Sequence, residues 1–423
     1  MYKKTVSYLF FVMGLVLITQ CTTQKVNQSS TDRLYKKENN ELNSSFYIYH
    51  INDSISRLFY SISNEVLVYK RSDTSNYFLS NVRLFVKTSQ EDELGTIKDT
   101  ISFPVIDRQL NVLVKQLQGS MYFKLRAGQR YHVDVQIYDN HKKTRYTSSL
   151  FADKTNKDAR QNFLVTSILN EVCFNTYYKP NDVVNIESDR NTEKLFNVDY
   201  FTNDFRLAPP PFSTEPTPPM SYRPDSSFSI YSTDQKFQLS LPQKGFYHVK
   251  TNDKTHEGIT FFVYEPSYPK IQNSEQMILA TRYIMAKKEF DNCMRAEDKK
   301  AVIDKFWIDL AGSNERANEL IKKYYGRIQE ANKLFTSFQE GWKADRGMIY
   351  IVFGAPNRVT KRKNGEIWTY GETGNPNSTV FSFIKVINPF TDNDFSLERN
   401  EIFKMPWYQA VDMWRQGRIY LDN

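Results

Sequence analysis

The chain has 423 residues, a formal net charge of +8, 40% hydrophobic and 15% aromatic residues. That length holds roughly two to four domains with sizeable cores. The basic excess is mild and spread along the chain, which argues against a nucleic-acid partner. Three cysteines exclude a disulfide scaffold and a zinc knuckle.

The first element is an export signal, residues 1–20. Lys3 and Lys4 precede a mostly apolar run from Val6 to Ile18, followed by Thr19, Gln20 and Cys21. The run falls short of the roughly 20 residues that span a bilayer as a helix, and the layout is that of a secretory signal. A cysteine directly after the run resembles a bacterial lipobox, although Gln20 departs from the usual small residue. The resemblance implies lipidation of Cys21 and membrane attachment through acyl chains, each buried methylene adding about 0.8 kcal/mol. Thr22-Thr23-Gln24-Lys25 carries no acidic residue. By analogy with Bacteroidota lipoproteins, whose surface-exposed members often carry acidic residues there, the expected location is the outer membrane, facing the periplasm. Residues 21–45 are polar and read as a flexible tether with a reach of roughly 25–30 Å.

Residues 46–158 read as a β-sandwich domain. Val82, Leu84 and Val86 alternate with Arg83, Phe85 and Lys87, and Tyr131, Val133, Val135 and Ile137 alternate with His132, Asp134, Gln136 and Tyr138. Period-two alternation places one set on a core face. Residues 159–272 read as a second, tandem β-sandwich, with Phe237, Leu239 and Leu241 on one face. Its proline-rich insert, residues 208–224, is unfit for a central strand or a helix and is expected to be an extended surface loop, with partner docking as the sharper reading. Cys173 and Cys293 are expected to be small buried side chains, with one disulfide as the alternative.

The pattern changes at Asn273, a plausible helix N-cap. Helical stripes follow at Leu279–Ile284, Val302–Leu310 and Ala317–Leu334, which predicts three helices. Residues 341–371 read GWKADRGMIYIVFGAPNRVTKRKNGEIWTYG. Met348 to Phe353 predicts a strand, and the basic run Arg358, Lys361, Arg362, Lys363 predicts a solvated turn, with an anionic envelope polymer as its alternative partner. Gly341 and Gly347 are expected to supply unusual φ values. Trp342 is expected to anchor a core with its indole N–H bonded. Asp345 and Arg346 are expected to fix the turn by side-chain hydrogen bonds, with a ligand site built on them as the alternative. The last element has Trp407, Val411 and Trp414 at helical spacing between Pro406 and Gly417, which predicts a closing helix.

This C-terminal part, residues 273–423, resembles the GWxTD-domain family. Gly341, Trp342, Asp345, Arg346 and Gly347 match its leading motif, with Ala344 where the family name has threonine. The resemblance continues through Gly354, Pro356, Glu366, Trp368, Tyr370, Asn388-Pro389-Phe390, Trp414 and Arg415. It implies a helical and α+β domain and an envelope setting, with these motif residues in structural roles. The fold class expected is therefore multidomain: a mainly β N-terminal part and a C-terminal α+β domain.

Motifs for chemistry are sparse. The five histidines, His50, His132, His141, His248 and His256, lie outside the motif region and are not spaced as metal pairs. The chain has no HExxH, GxSxG or P-loop pattern, so neither cofactor nor metal is expected. The functional expectation is a lipid-anchored, non-catalytic scaffold or accessory subunit of an envelope machine with protein partners. The rivals are a peptidoglycan or glycan binder and a hydrolase with a dispersed carboxylate pair.

Overall fold

The structure is a computed structural model and describes residues 29–31, 35, 42–73, 75–91, 96–175, 177–188, 194–202, 205–215, 221–252, 254–362, 364–372 and 374–419. The signal segment, Cys21, Lys363 and the Pro216–Pro219 run lie outside the described residues. No helix among the described residues is long and apolar enough to cross a membrane.

After β1 (Ser29–Thr31) come β2 (Ser44–His50), β3 (Ile55–Ser63), β4 (Tyr69–Arg71), β5 (Phe78–Gln90), β6 (Asp99–Gln109), β7 (Gln116–Lys124), β8 (Arg130–Asp139) and β9 (Thr144–Asp153). β2-β3-β7 form one sheet; β4-β5-β8-β9 form another, with β6 paired to β5. The alternation read from β5 and β8 holds: Val82, Leu84, Val86, Val133, Val135 and Ile137 are buried in one core with Leu58 and Ile62 of β3. Pro104 is tolerated because β6 is an edge strand.

The second β part comprises β10 (Leu164–Ser167), β11 (Tyr177–Tyr178), β12 (Asp182–Glu187), β13 (Leu195–Phe201), β14 (Ser226–Tyr231), β15 (Lys236–Leu241), β16 (Gly245–Lys250) and β17 (Ile259–Val263). Sheets β10-β12-β15 and β11-β17-β16-β13-β14 enclose a separate core around Phe196, Val198, Leu239, Leu241 and Phe261. β16 is buried along its whole length. Tyr247 and Val249 face that core, while Phe246 joins Phe201, Phe262, Tyr264, Tyr268, Phe338 and Phe390 in a cluster against the C-terminal part.

Five helices precede the motif's end, where three were expected: α1 (Ser274–Ala280), α2 (Lys287–Arg295), α3 (Lys299–Ala311), α4 (Asn314–Phe335) and α5 (Asp345–Phe353). Asn273 caps α1 through the Glu275 N–H at 2.8 Å. α3 ends on left-handed Gly312, and Ser313 then caps α4, so one glycine–serine pair turns the chain between two helices. Ala317, Leu320, Tyr324, Ile328, Ala331 and Phe335 form the buried stripe of α4.

Two expectations are overturned next. Met348 to Phe353 lies in α5, not in a strand, and Arg346 to Phe353 are all buried. A short run rich in β-branched and aromatic residues reads as a strand, but a helix enclosed on every side is apolar all round. The basic residues Arg358, Lys361 and Arg362 lie in β18 (Arg358–Arg362), not in a turn. β19 (Gly365–Tyr370), β20 (Thr379–Lys385) and β21 (Phe395–Leu397) complete the antiparallel sheet β1-β18-β19-β20-β21, and α6 (Lys404–Arg415) closes the domain with Trp407, Val411 and Trp414 buried. β1 comes from the stretch read as a free tether; at residues 29–31 that stretch is part of the C-terminal sheet.

Candidate functional site

The motif residues gather around the buried helix α5. Helix termini leave backbone groups without intrahelical partners, and a fully enclosed helix must have them met by other protein groups.

Ahead of α5, Gly341–Lys343 forms a 3-10 turn against α4. A Cβ on Gly341 would lie 2.1 Å from the Ala331 carbonyl oxygen, and one on Gly347 would lie 1.9 Å from the Gly341 carbonyl oxygen. Both glycines serve close backbone approach. The expectation of unusual φ values is not met at either position, whereas Gly354 does take φ +85°. Trp342 is buried; its N–H donates to Asn332 Oδ1 at 3.0 Å, and its carbonyl accepts from the Tyr283 hydroxyl at 3.0 Å. Its indole N–H has no partner among the described residues, against expectation. Asn332, itself buried, also donates to the Pro269 carbonyl at 2.8 Å.

At the N-terminal end of α5, Asp345 and Arg346 reach far along the chain instead of fixing their own turn. Asp345 accepts from the Leu397 N–H at 2.7 Å and pairs with the Arg399 guanidinium. Burial raises its carboxyl above the ordinary value, and Arg399 works in the opposite direction. Arg346 donates to the Asn393 carbonyl at 2.9 Å, stands 3.7 Å from Glu366, and lies 3.9 Å from the Phe395 ring centre. Glu366 accepts from the Trp368 indole at 3.0 Å and from the Tyr35 hydroxyl at 2.9 Å. Asn393 donates to the Leu334 and Thr336 carbonyls, at 3.0 and 2.9 Å, at the end of α4. Ala344 is the N-cap residue of α5 and supplies no side-chain bond.

At the other end, Arg327 donates to the Ile351 carbonyl at 3.0 Å, Trp414 Nε1 to Val352 at 3.0 Å, and the Tyr370 hydroxyl to Gly354 at 2.8 Å. Cations at a helix C-terminus also oppose its dipole. Pro356 is buried in the link to β18. Arg415 stands apart from this cluster: it forks onto Glu289 at 2.8 and 3.0 Å and donates to the Ile284 carbonyl, which docks α6 on the α2 region.

The proline-rich insert is also more than a surface loop. The Ala208 N–H donates to the Lys343 carbonyl at 3.0 Å, Arg399 donates to the Pro209 carbonyl at 3.1 Å, and the Asn400 N–H donates to the Pro211 carbonyl at 3.0 Å. Residues 208–211 therefore strap onto the motif region.

Sequence reasoning missed Tyr35, Arg327, Asn332, Asn393 and Arg399. Arg327 and Asn332 carried a usable signal, since both are polar residues interrupting the buried stripe of α4. The histidines His50 and His248 are held structurally: His50 between Ser56 Oγ and the Asp153 carbonyl, His248 between Thr260 Oγ1 and the His256 carbonyl. Among the described residues no three His, Cys, Asp or Glu side chains converge as a metal site. Cys173 and Cys293 are free thiols, partly rather than fully buried.

A cleft of about 480 Å³ opens where the two β parts meet the C-terminal sheet; its lining includes His132, Phe151, Tyr178, Lys361 and Lys385. Lys385 Nζ lies 4.5 Å from the Phe151 ring centre. Burial, then the charges of Lys361 and Lys385, depress the His132 pKa.

These features define an architecture of β-sheet parts joined to an α+β domain built round one enclosed helix. The GWxTD domain model matches residues 245–416, and the chain carries a GWxTD domain. The match begins at β16, so it includes the last two strands of the second β part with their aromatic contact to the α+β domain. No curated protein matches the chain. Among solved structures, a beta-glucuronidase from Bacteroides uniformis is similar over 29% of this chain and 13% of its own, at 10% identity and TM-score 0.19. A calcium-binding mutant of Bacteroides uniformis beta-glucuronidase 2 is similar over 29% and 14%, at 9% identity and TM-score 0.18. The chain thus spans under a sixth of the length of either enzyme.

Proposed function

We propose that the protein is an outer-membrane lipoprotein, anchored through Cys21 on the periplasmic side, that serves as a non-catalytic scaffold or accessory subunit of an envelope machine such as one for secretion, gliding or outer-membrane assembly. The observation that carries this reading is an apolar tip on the first β part. Leu110, Val112, Leu113 and Val114, after edge strand β6, are 57%, 47%, 69% and 71% exposed. Contiguous exposed apolar surface of this kind marks interaction sites. The motif side chains Asp345, Tyr370 and Trp414 support the same reading, because their polar groups are engaged in hydrogen bonds at the two ends of α5.

The test is crosslinking in intact cells followed by identification of what co-purifies with a C-terminally tagged chain. A defined set of membrane proteins is expected, reduced in Cys21→Ser and in a Leu113→Ser/Val114→Ser variant. Recovery of bulk lipoproteins alone, or of the same set from both variants, overturns the reading.

The three-way cleft favours a second reading, a peptidoglycan or other glycan binder. Phe151 offers a ring for a sugar face, and Lys361 and Lys385 offer cations. Retention of the purified chain on cell-wall sacculi, lost in Lys361→Ala/Lys385→Ala, tests it.

A further inference from the structure

The N-terminal segment meets the C-terminal sheet in two ways. β1 pairs antiparallel with β18, in the register Ser29 to Lys361, Ser30 to Thr360 and Thr31 to Val359. Four residues beyond Thr31, Tyr35 enters a socket behind the sheet. Its ring lies edge-on to Phe335 and tilted against Trp368, both at 5.2 Å between centres. Its hydroxyl donates to both Glu366 carboxylate oxygens, at 2.9 and 3.0 Å, and accepts from Arg346 at 3.5 Å.

The parts of this contact are those of peptide recognition by strand addition. An exposed sheet edge supplies main-chain bonds, and a side-chain pocket supplies selectivity. The pocket discriminates by chemistry: Glu366 is buried and its acceptor oxygens call for a donor, which tyrosine has and phenylalanine lacks. Burial, reinforced by the Glu366 charge, raises the Tyr35 pKa and keeps the hydroxyl a donor. The ladder itself is short. Three residues pair with a five-residue strand, against a typical strand of about five to six.

We propose that the β18 edge and the Glu366–Trp368 socket form a peptide-binding groove for an extended segment bearing a tyrosine, that Ser29–Thr31 on the edge and Tyr35 in the socket are its resting occupants, and that a tyrosine-bearing segment of a partner protein displaces them. Displacement would also release Ser29–Thr31 and Tyr35 from the C-terminal sheet. The groove itself does not depend on the scaffold reading: it can bind a peptide whether or not the apolar tip docks a machine.

The test is fluorescence anisotropy with a labelled synthetic peptide of residues 26–37, its Tyr35→Phe form and a scrambled form. The peptides are titrated into the full mature chain as wild type, Tyr35→Ala and Tyr35→Phe. The tyrosine peptide is expected to bind Tyr35→Ala and Tyr35→Phe at least about tenfold more tightly than wild type, whose own segment competes at high local concentration. The phenylalanine peptide is expected to bind about tenfold more weakly than the tyrosine peptide. Tyr35→Phe retains the ring, so the comparison survives a folding defect in Tyr35→Ala. The proposal is overturned by an absence of saturable binding to both variants. Equal binding of tyrosine and scrambled peptides, or equal affinity of wild type and Tyr35→Phe, also overturns it.

Discussion

Replacing Gly341 with alanine isolates the close approach on which the motif is built. The new Cβ would stand 2.1 Å from the Ala331 carbonyl oxygen, 2.8 Å from its carbon and 2.9 Å from the Asn332 Cα. All three are backbone atoms of α4, so no side chain can swing away. Relief requires a separation of roughly 1 Å between the 3-10 turn and the helix, and overpacking of this kind costs about 1–3 kcal/mol. The same movement stretches the Trp342 N–H to Asn332 bond and the Tyr283 to Trp342 bond, each worth about 1 kcal/mol net. The expected loss is about 3–5 kcal/mol. Gly326, in the same helix, provides the opposite case, since nothing lies within 4 Å of a Cβ placed there. Gly326→Ala is expected to stabilise by about 0.5–1 kcal/mol through helix propensity. All five tryptophans, Trp307, Trp342, Trp368, Trp407 and Trp414, lie in the C-terminal part, so urea unfolding followed by tryptophan fluorescence reads that part selectively. A loss below about 1 kcal/mol for Gly341→Ala, or the same sign for both variants, refutes the packing argument.

Three further outcomes follow from named groups. Ala344→Thr restores a hydroxyl at the N-cap of α5, where the extended backbone (φ −76°, ψ 160°) suits a cap, and urea unfolding is expected to show a gain of about 1 kcal/mol. Asp394 is held at a pKa of about 6 by burial, against an ordinary 3.8; its contribution is full below pH 3.8 and lost as pH rises through 6. Asp394→Asn should therefore exceed wild type at pH 7 by at most about 3 kcal/mol and match it near pH 4, as read from urea midpoints across pH. His248 is depressed to about 4 by burial, from an ordinary 6.5, so its contribution is present above 6.5 and lost as pH falls through 4. Circular dichroism melts should show up to about 3 kcal/mol lost over that window, and a shallower fall in His248→Gln.

The sandwich strands were legible because each buries one face, and burial of one face writes period two into Val82–Val86 and Tyr131–Ile137. The closing helix was legible from its tryptophan spacing. α5 was not, because a helix enclosed on all sides leaves no polar face to mark its period. Its ties were illegible for a different reason. Leu397, Arg399, Asn393 and Tyr35 reach the motif from far along the chain, and no local pattern encodes a pairing such as Tyr35 with Glu366. Arg327 and Asn332 were the exceptions: a polar residue on a core stripe costs free energy unless it finds a partner, so its presence there points to one.

The two ends of α5 differ in what holds them. The C-terminal carbonyls are met by Arg327, Tyr370 and Trp414, all from within the α+β domain. The N-terminal end is met by pairs that connect outward: Asp345 through Arg399 to the proline-rich strap at Pro209, and Arg346 beside Glu366, to which Tyr35 of the N-terminal strap is bonded. Both straps bind through neutral groups, the Pro209 carbonyl and the Tyr35 hydroxyl, so losing either leaves a buried charged group one hydrogen bond short, which costs more than for a neutral group. The contacts of either strap therefore bear on the partners of first-turn side chains of α5, whereas the last turn is held by groups that neither strap touches. The motif residues Asp345 and Arg346 thus join the core of the domain, through Arg399 and Glu366, to the two segments of the chain that reach it from outside.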